Sequence, residues 1–197
     1  MLAVRALVRI KDAPHADVIV DRLERFLRWS PRYLSSVLAG MGLAVAPVLR
    51  RTLVDPGRSE AVREIAADTL RKLKDREGAE AAVQAIEGFP ARDLLGAALR
   101  FLRVVATPNH LSLIRRLAGS PDDVVRGHAL RILAGIGGPD DGARLRSGLE
   151  DPSPWVATHA AWGLLESGRS GELREVSHSN HPRADLARQV LQEAQPA

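Results

Sequence analysis

Cysteine is missing from all 197 residues, so neither disulfides nor thiolate-bound metals hold this chain together. Aromatic residues make up only 4%, against 45% apolar residues overall. The core must therefore be filled by Ala, Leu, Val and Ile rather than by rings. Lysine is nearly absent: the 28 basic residues are Lys11, Lys72, Lys74 and 25 arginines. The 24 acidic residues are interspersed among them, leaving a net charge of +4, and the arginine excess matches GC-rich codon usage. No long apolar run is present. The longest uncharged stretch, Tyr33 to Leu49, contains Ser35, Ser36, Gly40, Gly42 and Pro47. It falls short of a membrane span of about 20 residues and reads as two packed helices. Leu2 to Ile10 is interrupted by Arg5 and Arg9, unlike a secretory signal. Sustained period-2 alternation is also lacking, so strands are not expected.

What the chain has instead is a recurring phrase: a Pro or Ser, a short polar gap, Val-Arg, then Ala and Leu at helical spacing. Its clearest copy is PDDVVRGHALRILAGIGGPDD, from Pro121 to Asp141. Val62, Leu94, Val125 and Val156 stand 32, 31 and 31 residues apart. Three further columns follow: Ala66, Ala98, Ala129, Ala160; then Leu70, Leu102, Leu133, Leu164; then Leu73, Val105, Ile136, Ser167. A period near 31 means stacked supersecondary units, since one unit cannot bury its apolar face alone. The start and stop signals agree. Asp55-Pro56, Ser120-Pro121 and Asp151-Pro152 close second helices and open first ones. The predicted helical pairs are 31–40 with 43–54, 59–73 with 78–86, 91–105 with 109–118, 122–135 with 140–149, and 154–166 with 170–176. Helices are also expected over 1–13, 15–29 and 183–194. The 15–29 helix should turn Val18, Ile19, Leu23, Phe26 and Leu27 to one side.

The segment VRGHALRILAGIG, followed by a second helix and Asp-Pro, resembles HEAT repeats of the type found in phycobilisome lyases. The likeness covers residues 31–180. Tetratricopeptide and ankyrin repeats fit less well in period and signature. The resemblance implies an all-α, right-handed solenoid of about five helical pairs, first helices convex and second helices lining a concave groove. The expected organisation is capping helices over 1–30, a repeat array over 31–181, and a capping helix and tail over 182–197. It also implies a protein-binding scaffold, without naming a partner. Zero cysteines are compatible with the cytoplasm, with membrane association expected only if the N-terminus continues a removed segment.

Residues that could carry chemistry are few. The HEAT-like iron hydroxylases carry His-Glu pairs, and this chain has no His-Glu dipeptide. His128 and His159 stand in the column that holds Ile65 and Ala97 elsewhere. Helices packed about 8–10 Å apart place two such imidazoles poorly for sharing a metal, so packed histidines are expected. Glu175, His178 and His181 have ligand-like spacing but span a helix end and a Pro. Ser35, Ser36, Ser112 and Thr158 lack a paired His/Asp arrangement. The expectation is no catalytic residue, no metal and no cofactor.

Two candidate partner surfaces emerge. Trp162 occupies a column that is otherwise charged (Asp68, Arg100, Arg131) and therefore read as solvent-facing. With Trp155 and His159 it forms an i, i+4, i+7 stripe, either exposed for a partner or covered by the terminal helix through Leu186, Val190 and Leu191. The second surface is a basic ladder on the second helices: Arg50, Arg51, Arg115, Arg116, Arg144 and Arg146. It would suit an acidic protein, nucleic acid or anionic lipid, or else be a salt-bridged face.

Overall fold

The computed structural model describes residues 16–88 and 90–194; the helix expected over 1–13 lies outside them. The described residues are helical with no strand. They divide into a unit ending at Val105 and a unit starting at Ala106. The first unit holds α1 (Ala16–Asp21), α2 (Pro31–Ala39), α3 (Ala46–Val54), α4 (Glu60–Leu73), α5 (Ala79–Glu87) and α6 (Arg92–Val105). The second holds α7 (Leu111–Leu117), α8 (Asp123–Ile136), α9 (Asp141–Ser147), α10 (Pro154–Glu166), α11 (Ser170–His178) and α12 (Ala184–Glu193). Short 3-10 turns introduce or extend several of them.

The helices begin where the sequence supplies a cap. Ser59 Oγ accepts the Val62 N–H ahead of α4, and Asp122 Oδ1 accepts those of Val124 and Val125 ahead of α8. Thr107 and His110 form a reciprocal capping box ahead of α7, and Pro31 and Pro154 open α2 and α10. Each device satisfies or removes donors that a helix start leaves unpaired. The uncharged stretch from Tyr33 is two helices, as expected, bent by 117° at a break where Gly42 takes φ +70°, a conformation that glycine adopts without steric cost. No single helix among the described residues is long and apolar enough to cross a membrane.

In each unit the first helices form one layer and the second helices another. α4 lies between α2 and α6, with α3 and α5 beneath; α10 packs most extensively on α8, with α7, α9 and α11 beneath. The repeat columns are what this geometry buries. The twelve residues of the Val62, Ala66 and Leu70 columns are all at most 4% exposed, and all four alanines are at 0%. Each buried Leu contributes on the order of 2 kcal/mol. Alanine adds little area but lets the helix axes come close. α12 closes the second unit by packing on α10 and α11 through Ala184, Ala187 and Val190.

The 15–29 segment departs from its expected single helix. α1 ends at Asp21, and Leu23–Phe26 is 3-10, with i→i−3 bonds from Arg22 to Ile19 and from Arg25 to Arg22. Its acids are drawn to the next pair: Asp17 to Arg51, Asp21 to Arg58, and Glu24 to the Ser59 N–H. These tertiary bonds override the amphipathic period. Ile19 and Leu23 are buried, but Val18 is 44% exposed.

The close approach also fixes which glycines can be replaced. A Cβ at Gly148 would meet Leu130 Cδ1 at 2.7 Å and the Ala160 Cβ at 2.8 Å, whereas one at Gly135 would meet nothing. Gly148→Ala is expected to destabilise by about 1–3 kcal/mol, while Gly135→Ala stabilises α8 by about 0.5–1 kcal/mol. Urea denaturation of both variants gives the two opposite signs directly.

Candidate functional site

Trp155 stands in the first turn of α10, immediately after Pro154. Its indole lies across α8: a Cβ on Gly127 would sit 2.9 Å from Trp155 Nε1 and 3.4 Å from His159 Cγ. Only a residue without a side chain leaves that room. The Trp155 and His159 rings stack 4.0 Å apart at 42°, and the His159 Nδ1–H donates to the Trp155 carbonyl at 3.0 Å. His128, 7% exposed, meets both edge-on, at 6.1 Å from Trp155 and 5.5 Å from His159. The imidazoles thus come closer than the helix spacing suggested, but inside an aromatic cluster. Trp155 itself stays 44% exposed.

Trp162 requires a correction. Its column is solvent-facing only in part: Arg100 is exposed, but Trp162 is half-buried and the Asp68 and Arg131 side chains are 19% and 13% exposed. The reason is that the half-buried members face a neighbouring first helix. Asp68 accepts from Ser35 on α2 at 2.6 Å. Arg131 on α8 lies 5.8 Å from the Trp162 ring centroid, within cation–π range, and its guanidinium pairs with Glu166 through both carboxylate oxygens. Within the stripe His159 and Trp162 are half-buried beside His128 and Arg131 of α8, and Trp155 is exposed.

The arginine ladder is salt-bridged. Arg50 donates to both Asp75 oxygens at 2.6 Å and to Glu77 at 2.5 Å, and Arg51 pairs with Asp17 at 3.0 Å. In the second unit Arg115 grips both oxygens of Asp141 at 2.9 and 2.8 Å. Arg144 lies 3.8 Å from the same carboxylate, and Arg146 faces Glu172 and Glu175. Arg116 is exposed on α7. The hydrogen bond to Asp75 raises the Arg50 pKa above its ordinary value. The Arg115 guanidinium, in turn, holds the Asp141 carboxyl below the usual range. Arg51, Arg144 and Arg146 stay more than half exposed within these pairs.

Glu175, His178 and His181 diverge: toward Arg146, the Arg174 carbonyl and Glu150 respectively. No group of three ligating side chains that could hold a metal is found among the described residues. Ser35, Ser36 and Thr158 donate to Asp68, the Arg32 carbonyl and the Pro154 carbonyl.

Sequence reasoning missed a clamp and a cavity. Arg126 of α8 holds both oxygens of Asp151 and the carbonyls of Ser120 and Pro121. The signal was available: Arg-to-Asp separations of 25 or 26 residues recur in 50–75, 115–141 and 126–151. The cavity, about 270 Å³, is lined by Pro31, Arg32, Glu64, Asp68, Arg71 and Arg100. Burial pushes the Asp68 carboxyl up, but hydrogen bonds from Ser35, Arg71 and Lys72 outweigh it and hold it at about 2. Burial, reinforced by Asp93, raises Glu64.

Stacked pairs with aliphatic columns and interlocking Arg–Asp clamps define a helical-repeat scaffold. Residues 79–166 and 111–194 each match the family model described as HEAT repeats, together more than half of the chain. The chain belongs to the HEAT-repeat family, an all-α solenoid class whose members generally serve as protein-interaction scaffolds. No curated protein matches it.

Two outcomes follow from these ion pairs. Arg50→Ala leaves the Asp75 carboxylate, 3% exposed, without its main partner and is expected to cost on the order of 2 kcal/mol in a urea titration. Asp68 has a depressed pKa, so its contribution is present above its unfolded value of about 3.9 and fades as pH falls through about 2. The stability gap between wild type and Asp68→Asn should therefore be full at pH 7 and close toward pH 2; a gap that stays constant would refute the pairing.

Proposed function

We propose that this chain is a non-catalytic protein-docking module, working in the cytoplasm, whose partner seats on the Trp155 end of α10. The observation that carries this reading is a large aromatic ring left 44% exposed while held in place by Gly127, His159 and His128. A ring already ordered in the free protein loses little conformational freedom on binding, and Trp is enriched among the few side chains that dominate interface energetics. The right-handed superhelix implied by the repeat resemblance belongs to the same proposal. So does the absence of catalysis, supported by the engagement of Ser35, Ser36 and Thr158 in structural hydrogen bonds. The paired state of the second-helix arginines favours docking by shape and aromatic contact over electrostatic capture on that face.

Crosslinking and co-purification from the native host at low and high salt provide the test. A defined protein should survive high salt with the wild-type chain and be lost at least tenfold with Trp155→Ala, while Arg146→Ala retains it. Retention of that protein by Trp155→Ala would overturn the assignment of the surface.

A further inference from the structure

The first unit carries a second surface, chemically unlike the first. Between Arg22 and Arg32 the chain reads RLERFLRWSPR, four arginines to one acid. All four are exposed, and none has an ion pair or side-chain hydrogen bond among the described residues. They differ in this from the paired arginines of α3. The local acids are already committed: Asp21 pairs with Arg58, and Glu24 accepts the Ser59 N–H.

Geometry arranges these charges in a row. Arg22 immediately precedes the 3-10 turn Leu23–Phe26, the Arg25 N–H donates to the Arg22 carbonyl and the Trp29 N–H to that of Phe26. Residues three apart eclipse in a 3-10 helix and rise about 6 Å. Arg25 stands inside this turn, Arg22 at its start and Arg28 in the turn that follows it, so the three charges follow one another at three-residue steps along a short segment. The Trp29 and Tyr33 rings stack at 5.9 Å and 29°, joining the turn to the start of α2, and Arg28 and Arg32 each immediately precede one of the two rings in sequence. Arg32 then lines the cavity that also holds Arg71 and Arg100. Of its two carboxylates, Asp68 is taken by Ser35, Arg71 and Lys72.

We infer that the edge from Arg22 to Arg32 binds the phosphate backbone of a single-stranded nucleic acid. Planar guanidinium groups match phosphate oxygens two at a time. Cations spaced three or four residues apart suit a polymer whose charge repeats evenly. The partly exposed Trp29–Tyr33 pair gives a base a surface to stack on. A lipid surface fits less well, because membrane-seating segments turn their apolar side chains outward. Here Leu23 is buried and Phe26 and Leu27 are half-buried. This site is separate from the Trp155 surface and does not depend on its role.

The test is fluorescence anisotropy of a labelled 20-nucleotide oligothymidine titrated with the full chain. Three to four phosphate contacts at about −0.7 each predict a log–log salt slope of roughly −2 to −3, hence a roughly 20- to 50-fold affinity loss between 50 and 200 mM salt. Replacing Arg22, Arg25 and Arg28 together by Gln should cut affinity at least tenfold and flatten the slope by about 2. Circular dichroism should show an unchanged melting point, since these side chains hold nothing in the fold. The Arg144→Gln, Arg146→Gln double variant should bind as wild type. No binding to the oligonucleotide, or binding with an unaltered slope in the triple variant, would overturn the inference. So would co-sedimentation with phosphatidylserine vesicles that the triple variant abolishes while oligonucleotide binding stays intact.

Discussion

Close approach of the first helices through alanine is the constraint on which the rest of this protein depends. Ala66, Ala98, Ala129 and Ala160 are wholly buried, and no larger side chain would let neighbouring axes come so near. Once they do, Val and Leu one turn away interdigitate. Gly127 must then yield its space to the Trp155 indole, and Gly148 sits against Leu130 and Ala160. A chain with so few rings can be tightly packed because its interior is made from thin elements set side by side. The short 3-10 extensions at the ends of several second helices fit the same tight spacing.

Electrostatics then lock what packing has placed. Arginines on one element reach a carboxylate 25 or 26 residues on, at the turn or start of the next pair. Each bidentate clamp ties a helix to the following loop, where an aliphatic core alone would leave orientation loosely set. The acids are mostly spent in this way. A modest net charge of +4 thus coexists with a local excess: the arginines of α3 are ion-paired, while those at 22, 25, 28 and 32 are not.

Much of this was legible in the sequence, and the legible part was apolar. Columns at 31-residue spacing located twelve repeat positions that are all at most 4% exposed, because burial leaves a periodic mark on composition. Proline and glycine placed most helix ends of the repeat array to within a residue or two, although α3 begins at Ala46, after a 3-10 turn, three residues later than expected. Charged positions were less readable. Asp68 and Arg131 looked solvent-facing because they are ionised, yet both lie in seams where a partner from a neighbouring first helix makes burial tolerable. Trp162, which seemed an anomaly, is one more way of covering that seam. The Arg22, Arg25, Arg28 spacing was plain to see but meant little while the segment was taken as one amphipathic helix. Its significance depends on where Asp17, Asp21 and Glu24 find partners, and periodicity carries no such information.

The sameness of the columns has a cost in folding. A helix that has slipped by one whole repeat would still offer Val, Ala and Leu at the right places, so the aliphatic core barely distinguishes the correct neighbour from the next one along. The distinguishing contacts are those that do not recur: Ser35 with Asp68, Arg131 with Trp162, Gly148 with Ala160. Each is unique in its chemistry and would be lost in a slipped pairing. The irregularities of this array thus act as address labels, telling otherwise interchangeable helices which neighbour is theirs.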